Sequence, residues 1–365
     1  VAPGVQISRS GTYTQPAIRG ISTSFAGGGQ ETNVAVYIDG IYQSDQLGTN
    51  QDLSNIQDIQ ILKGPQGTLY GRNATGGAIL ITTRSPTDKL EADANVSYAW
   101  RYNDKIANAF IGGPITNGIK FSIAASWHDS DGYFKDINHF SRDVVLDDTT
   151  YTFGGLGKIH FAKHADRKGD NSAPFKNWSV RPKLVLEPTD GLKVTLGYVH
   201  TYLNDPRGLA YDEVSNNTFN PGLGYYGLGG AGFQGTACAP GDAHCNEVTR
   251  DRRNKTSLNF RPYNESKQNE ANATVEWKLG AAGTITAHAA QRWQRDFQFY
   301  DLDGTPRDAG TGAPIVGVGL PLPVGTPSVA TAFDSEQHNK RKTFVGQLDY
   351  NGQFGNLNLL GGFFY

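Results

Sequence analysis

From Leu90 onward apolar and polar residues alternate with a period of two. Leu90, Ala92, Ala94, Val96, Tyr98 and Trp100 fall on one phase, and Glu91, Asp93, Asn95 and Ser97 on the other. That is the pattern of a strand with one apolar and one polar face. It recurs over 119–127 and 192–202. It is cleanest where Ala271, Ala273, Val275, Trp277 and Leu279 face Glu270, Asn272, Thr274, Glu276 and Lys278. Ile285–Phe299 continues it, interrupted at Gln291 and Arg295. Residues 1–85 differ, with short apolar runs separated by Gly-rich turn signals. Val34–Ile38 reads as a strand entering a tight turn at Asp39-Gly40, and Ile56–Leu62 and Ala78–Thr83 as two more strands. Asp52–Asn55 suits the cap of a single helical turn. The pattern predicts a compact mixed α+β domain over 1–85, then a long antiparallel sheet over 86–365.

A soluble sandwich also alternates, so connection lengths carry the next step. The links at 114–118, 187–191, 279–283 and 351–355 are tight. Those near 130–176, 204–267 and 301–340 are long. Structureless loops beyond about 15 residues are uncommon in soluble folds, whereas outer-membrane barrels pair short turns at one end with long loops at the other and carry aromatic belts. Trp100, Trp127 and Trp178 lie near strand ends, as such belts require; as bare sequence they also fit ordinary aromatic strand positions. Nine strands are expected, centred near Val96, Ala109, Ile123, Leu184, Leu196, Thr274, Ala289, Gln347 and Leu359. Nine strands would leave two bare edges in lipid, where unsatisfied backbone groups are costly, so they are expected to be part of a larger closed barrel.

Composition agrees. The 365 residues include 45 glycines, well above the usual share of roughly 7%. Met is absent, which points to a piece of a longer chain. The balance of 33 basic against 35 acidic residues, with no basic stripe, speaks against a nucleic-acid partner. The uncharged run Ala309–Phe333 is interrupted by Pro314, Pro321, Pro323 and Pro327 and reads as a loop, not a spanning helix.

Cys238 and Cys245, in a Gly/Pro-rich stretch, read as a short disulfide loop in an oxidising compartment. A metal pair with His244, or two inert thiols, are the alternatives, although a metal site needs more ligands than the spacing supplies. His160 and His164, with His128 and His139, invite a metal or haem reading, but a four-residue spacing brings rings together on a helix and not in an extended stretch. Phe260-Arg261-Pro262 and Asn220-Pro221 are too short to support a haem site. No hydrolase, zinc-peptidase or paired-cysteine redox motif appears, so the chain is expected not to be an enzyme and to hold no cofactor and no metal. Gly67 and Gly71 are three residues apart and followed by Arg72, which is not the spacing of a phosphate-binding loop.

Four blocks stand in order in the first domain: Ala2-Pro3-Gly4-Val5, Pro16-Ala17-Ile18-Arg19-Gly20-Ile21, Val34-Ala35-Val36-Tyr37-Ile38-Asp39-Gly40, and the run from Leu62 to Ile79 that holds Gly64, Pro65, Gly67, Tyr70, Gly71, Arg72, Gly76 and Gly77. Together they resemble the plug domain of TonB-dependent outer-membrane receptors. The resemblance implies a plug within a barrel of 22 strands in the outer membrane of a Gram-negative bacterium. Its function would be to import a scarce ligand, an iron–siderophore complex first, with cobalamin, nickel chelates, oligosaccharides or aromatic compounds as alternatives. A passive pore or adhesin, and a secreted sandwich, are rival classes. Energy would come from a TonB–ExbB–ExbD complex acting on a segment expected before Val1, and about thirteen strands would follow Tyr365. The motif glycines suit tight turns and close backbone approach. Arg19 and Lys63 match plug cations that meet carboxylates on the inner wall, with those carboxylates expected in the later strands; Lys63 would lack the bidentate geometry of Arg. Two polar loops, 22–31 and 41–50, would face incoming ligand, and Phe25, Gln30, Tyr42, Gln43 and Asp45 combine stacking and hydrogen-bonding groups suited to a polar chelate. As plain sequence these residues also fit simple strand connections and solvated surface.

Overall fold

The computed structural model describes residues 2–10, 13–23, 30–46, 55–132, 135–136, 150–153, 157–160, 174–205, 255–256, 263–301, 334–355 and 357–365. The first domain begins with a hairpin, β1 (Val5–Ser10) and β2 (Tyr13–Ile18), followed by β3 (Val34–Ile38), β4 (Ile41–Tyr42), β5 (Ile56–Lys63), the helical turn α1 (Gly67–Tyr70) and β6 (Gly77–Thr83). Four of these strands form a sheet in the order β4-β3-β6-β5, with β3 parallel to β6. Every residue of β3 is buried, as the central strand of a sheet covered on both faces must be. On one face Val34, Val36 and Ile38 pack with Ile18, Ile79 and Ile81. On the other, Ala35 and Tyr37 pack with Tyr42, Ala74 and Ala78.

After a link over 84–90, the chain enters β7 (Glu91–Ala99), β8 (Asp104–Thr116) and β9 (Ile119–Ser130). The short strands β10 (Lys135–Asp136), β11 (Thr150–Phe153) and β12 (Gly157–His160) follow. Then come β13 (Phe175–Thr189), β14 (Leu192–Asn204), the short β15 (Lys255–Thr256), β16 (Tyr263–Lys278), β17 (Thr284–Asp301), β18 (Asp334–Phe354) and β19 (Leu357–Phe364). Nine of them make one sheet, ordered β19-β18-β17-β16-β14-β13-β9-β8-β7 with antiparallel neighbours throughout. All nine predicted strand centres fall inside these strands.

The sequence reading needs three adjustments. The connection at 100–103, which holds the turn Trp100–Tyr102, is tight although it lies at the end of the sheet where the other connections are long. Most strands of the sheet exceed the roughly ten residues that a barrel strand needs to cross a bilayer, β18 reaching 21 while β7 and β19 have 9 and 8. The helical turn observed in the first domain is α1, whereas the expected one at Asp52–Asn55 lies, apart from Asn55, outside the described residues.

The two faces of the sheet reverse the rule for soluble proteins. The inward face carries buried polar residues such as Ser126, Ser179, Gln268, Glu270, Arg292 and Gln294. The outward face bares Val96, Tyr98, Trp127, Leu196, Trp277, Phe344 and Leu348. Soluble monomers rarely leave so continuous an apolar surface uncovered. On β18 the outward phase is apolar or glycine from Phe344 to Phe354. At about 3.3 Å per residue and a strand tilt of about 40° this is a band about 25 Å tall, the height of a hydrocarbon layer. Trp127, Trp178, Tyr202 and Trp293 lie toward one edge of the band, and Trp277 and Phe354 toward the other.

Candidate functional site

The site is the seam between the first domain and the inward face of the sheet. It starts at the β3–β4 hairpin, whose two turn residues both have positive φ, 52° at Asp39 and 80° at Gly40. This is the two-residue turn that Asp-Gly favours. Asp39 accepts hydrogen bonds from the Thr83 amide (2.7 Å) and hydroxyl (2.6 Å) of neighbouring β6. Its other partner comes from the wall, where Lys183 Nζ of β13 lies 2.9 Å from its carboxylate and 2.5 Å from Thr83 Oγ1. Gly40 is required twice, because its φ is left-handed and because a Cβ there would fall 2.4 Å from the ring of His288 on β17.

Beyond the turn the chain climbs the wall toward the end with the long connections. Gln43 Oε1 accepts a hydrogen bond from Arg292 Nη2 at 2.6 Å. Arg292 is held by Glu270 of β16, its Nε (2.9 Å) and Nη2 (2.6 Å) both donating to Oε2. At 1% and 4% side-chain exposure this ion pair is fully desolvated. Two residues further, Asp45 takes Arg341 Nη1 of β18 at 2.9 Å and Gln294 Nε2 at 3.4 Å. Register explains the convergence. Val199, Glu270, Arg292 and Thr343 form one inward row, and Thr201, Gln268, Gln294 and Arg341 the next. One step higher, Asn339 donates to Tyr13 Oη at 3.3 Å and to Asp296 Oδ2 at 3.2 Å. The short extended segment Gln43–Asp45 thus meets two successive wall rows, and Tyr13 of β2 meets the third. Arg292 Nη1, Thr201 Oγ1 and Asn264 Oδ1 are buried without a hydrogen-bond partner among the described residues, which leaves donor and acceptor capacity along this face.

Of the residues predicted to meet ligand, Gln43 and Asp45 are buried in the seam, bonded to wall residues. Tyr42 is also buried; its hydroxyl accepts a hydrogen bond from Asn73 Nδ2 at 2.8 Å and its ring packs edge-on to Phe364. Burial raises the pKa of Tyr42, and Glu31 and Asp45 add to it while the Asn73 bond and Arg72 oppose. Gln30 is exposed. Phe25, Cys238 and Cys245 lie outside the described residues, as do His139, His164, His244, Asn220-Pro221 and Phe260-Arg261-Pro262.

Arg19 and Lys63 are exposed, and among the described residues neither forms an ion pair; Lys63 Nζ donates to the Pro3 carbonyl at 2.8 Å. In the motif run, Gly64, Gly71 and Gly77 have positive φ, and at Gly77 a Cβ would lie 2.2 Å from the Leu62 carbonyl oxygen. Gly76 is closely approached by Ile21 and Val34. Gly67 has neither a positive φ nor a close neighbour and opens α1 instead. Pro65 is exposed just before α1. Tyr70 accepts the Tyr37 hydroxyl at its backbone carbonyl, 2.8 Å away, with the two rings 5.5 Å apart. Arg72 pairs with Glu31 at 3.0 Å.

The sequence reading missed Asp39 as an anchor, and Lys183, Glu270, Arg292 and Arg341 as its wall counterparts. The available signal was charge on the inward phase of a strand, a position that must be desolvated once a domain fills the interior. Among the described residues no cluster of three or more His, Cys, Asp or Glu could hold a metal ion.

Residues 1–78 match the family described as TonB-dependent Receptor Plug Domain. Over 127 residues, 33% of this chain and 18% of the relative, the sequence is 36% identical to the pesticin receptor of Yersinia enterocolitica. Over 138 residues, 33% of this chain and 20% of the relative, it is 28% identical to an iron-regulated outer membrane virulence protein of Vibrio cholerae. The chain therefore spans about a fifth of the length of the curated relatives it matches. The crystal structure of the ferric yersiniabactin uptake receptor FyuA from Yersinia pestis superposes with a TM-score of 0.61 at 16% identity, covering 100% of this chain and 44% of that one. At that identity the likeness is one of fold.

Proposed function

We infer that this chain, a TonB-dependent receptor in part, with its plug domain followed by a section of its barrel sheet, belongs to an outer-membrane receptor that imports a scarce ligand by energy-driven movement of the plug. Receptors of this family transport and are not enzymes. The reading rests on one observation above all: the plug segment Asp39–Asp45 is fastened side by side to a polar inner wall, through Lys183, Arg292 and Arg341. Such a seam closes the lumen at rest. It is built chiefly from hydrogen bonds and ion pairs, with apolar contacts at Val345 and Phe364, and polar contacts of this kind can be exchanged one row at a time.

Coupling would come from the TonB–ExbB–ExbD complex pulling on the plug, and the cargo we favour is an iron–siderophore complex. The names of the relatives above support an iron chelate. Of the residues singled out for ligand contact, Gln30 is exposed and is the one we propose meets it first. The test is uptake of a radiolabelled ferric siderophore by cells carrying the complete receptor, with and without a protonophore. Accumulation that collapses when the proton gradient is discharged is expected; accumulation that persists would identify a passive pore.

A further inference from the structure

Segment 72–76 of the motif run holds the neck of the loop 22–31. Asn33 closes that neck: its Nδ2 donates to the Ser22 carbonyl at 2.9 Å and its backbone N–H to Thr23 Oγ1 at 2.9 Å, while Thr23 Oγ1 donates to the Glu31 carbonyl at 3.4 Å. The Asn33 carbonyl in turn accepts from the Gly76 amide at 2.9 Å and from Thr75 Oγ1 at 3.3 Å. From the same segment Arg72, 3.0 Å away, and Asn73 Nδ2 both reach the Glu31 carboxylate. Gln30, the residue before Glu31, is exposed.

Asn73 is where this neck meets the seam. A side-chain amide nitrogen has two hydrogens to donate, and Asn73 commits both, one to Glu31 Oε2 and one to Tyr42 Oη at 2.8 Å. Its backbone is left-handed, with φ 63°, a conformation that Asn adopts more readily than most residues with a Cβ. Tyr42 is 1% exposed and its ring lies 5.6 Å from that of Phe364 on the wall. Arg72 stands over the same Phe364 ring, 5.7 Å from its centroid. The residue after Tyr42 is Gln43, which accepts Arg292. The bonds at Asn33 already close the neck; the chain Glu31–Asn73–Tyr42 extends it to the seam, and its first bond is charge-assisted, the stronger kind.

We propose that Asn73 is a positioning residue that makes the hold of the seam depend on where Glu31 sits, so that displacing the neck of the loop loosens Gln43 from Arg292. The proposal rests on the receptor reading above for what displaces the neck, the arrival of ligand, but its test uses neither ligand nor import. The complete receptor is folded in detergent, with heat-modifiable gel mobility as the check on the barrel, and amide hydrogen exchange is followed over 30–33 and 41–46. Asn73→Asp sets a carboxylate against Glu31 and breaks that bond, while it can still accept from the Tyr42 hydroxyl. Exchange is expected to rise about tenfold in both segments, the effect of losing one such hydrogen bond. Adding Glu31→Gln reverses donor and acceptor across the pair and should return both segments to native exchange, a rescue that a mere loss of packing would not show. Asn73→Gly keeps the left-handed φ and removes both bonds, and should loosen both segments at least as much as N73D. Faster exchange confined to 30–33 in N73D and N73G overturns the proposal, as does an E31Q/N73D variant as loose as N73D. The import reading fails separately, on uptake that survives a protonophore, an outcome that does not alter these exchange rates.

Discussion

Arg292 and Glu270 illustrate how much depends on single side chains in this seam. Both are buried, so their mutual attraction offsets a large desolvation cost, and the pair is not in itself a source of net stability. Removing one partner strands the other. Arg292→Met is expected to destabilise the folded receptor by about 3–5 kcal/mol, and Arg292→Met with Glu270→Leu to recover most of that, measured as urea midpoints in detergent. A double variant as unstable as the single one would place the cost in packing. The plug tyrosines give a pH signature. Burial first, then the neighbouring Tyr42, Asp349 and Tyr70, push the Tyr37 hydroxyl well above its ordinary value of 10.0. The folded state thus favours the protonated phenol, and this contribution to stability is fully present below about pH 10 and is lost as pH rises from there toward the raised folded value. Tyr37→Phe should flatten the fall in urea midpoint above about pH 10; an unchanged slope there would remove Tyr37 as its source.

At the scale of elements, the strands were the most legible part of the sequence. Alternation over 91–99, 119–130 and 263–278 is a local, repetitive signal, and a one-residue slip would turn every outward apolar residue inward, so pattern and register agree. The Asp39-Gly40 hairpin was legible for the same reason, since two consecutive positive φ angles restrict residue choice. Its position against the wall was not. The 2.4 Å approach of a Cβ at Gly40 to His288 joins residues far apart in the chain, and nothing local reports such a meeting. Gly40→Ala is therefore expected to cost stability through both φ and clash. Adding His288→Ala should restore the steric share alone, seen as partial recovery of the plug's resistance to limited proteolysis. Full recovery would mean that backbone strain contributes nothing. α1 escaped notice because four residues are too few to show a helical period, and its start at Gly67 carries no side-chain cap.

For the whole molecule, the four ordered blocks of the first 80 residues made the architecture legible, because their glycine spacing records turns that the fold needs. The seam was legible only in half: Gln43 and Asp45 were singled out for polarity, but their partners Arg292 and Arg341 are 249 and 296 residues away. Cations expected on the plug, at Arg19 and Lys63, have no ion-pair partner among the described residues, while the wall supplies the cations to plug acids and amides. We infer that Lys183, Arg292 and Arg341, by holding the plug segment 39–45 against the wall, keep the lumen shut. It is tested most directly by single-channel current through the complete receptor in a planar bilayer, comparing native protein with a K183Q/R292Q/R341Q variant that retains heat-modifiable mobility. A silent native protein and discrete openings in the variant are expected. A variant as silent as the native protein would contradict it.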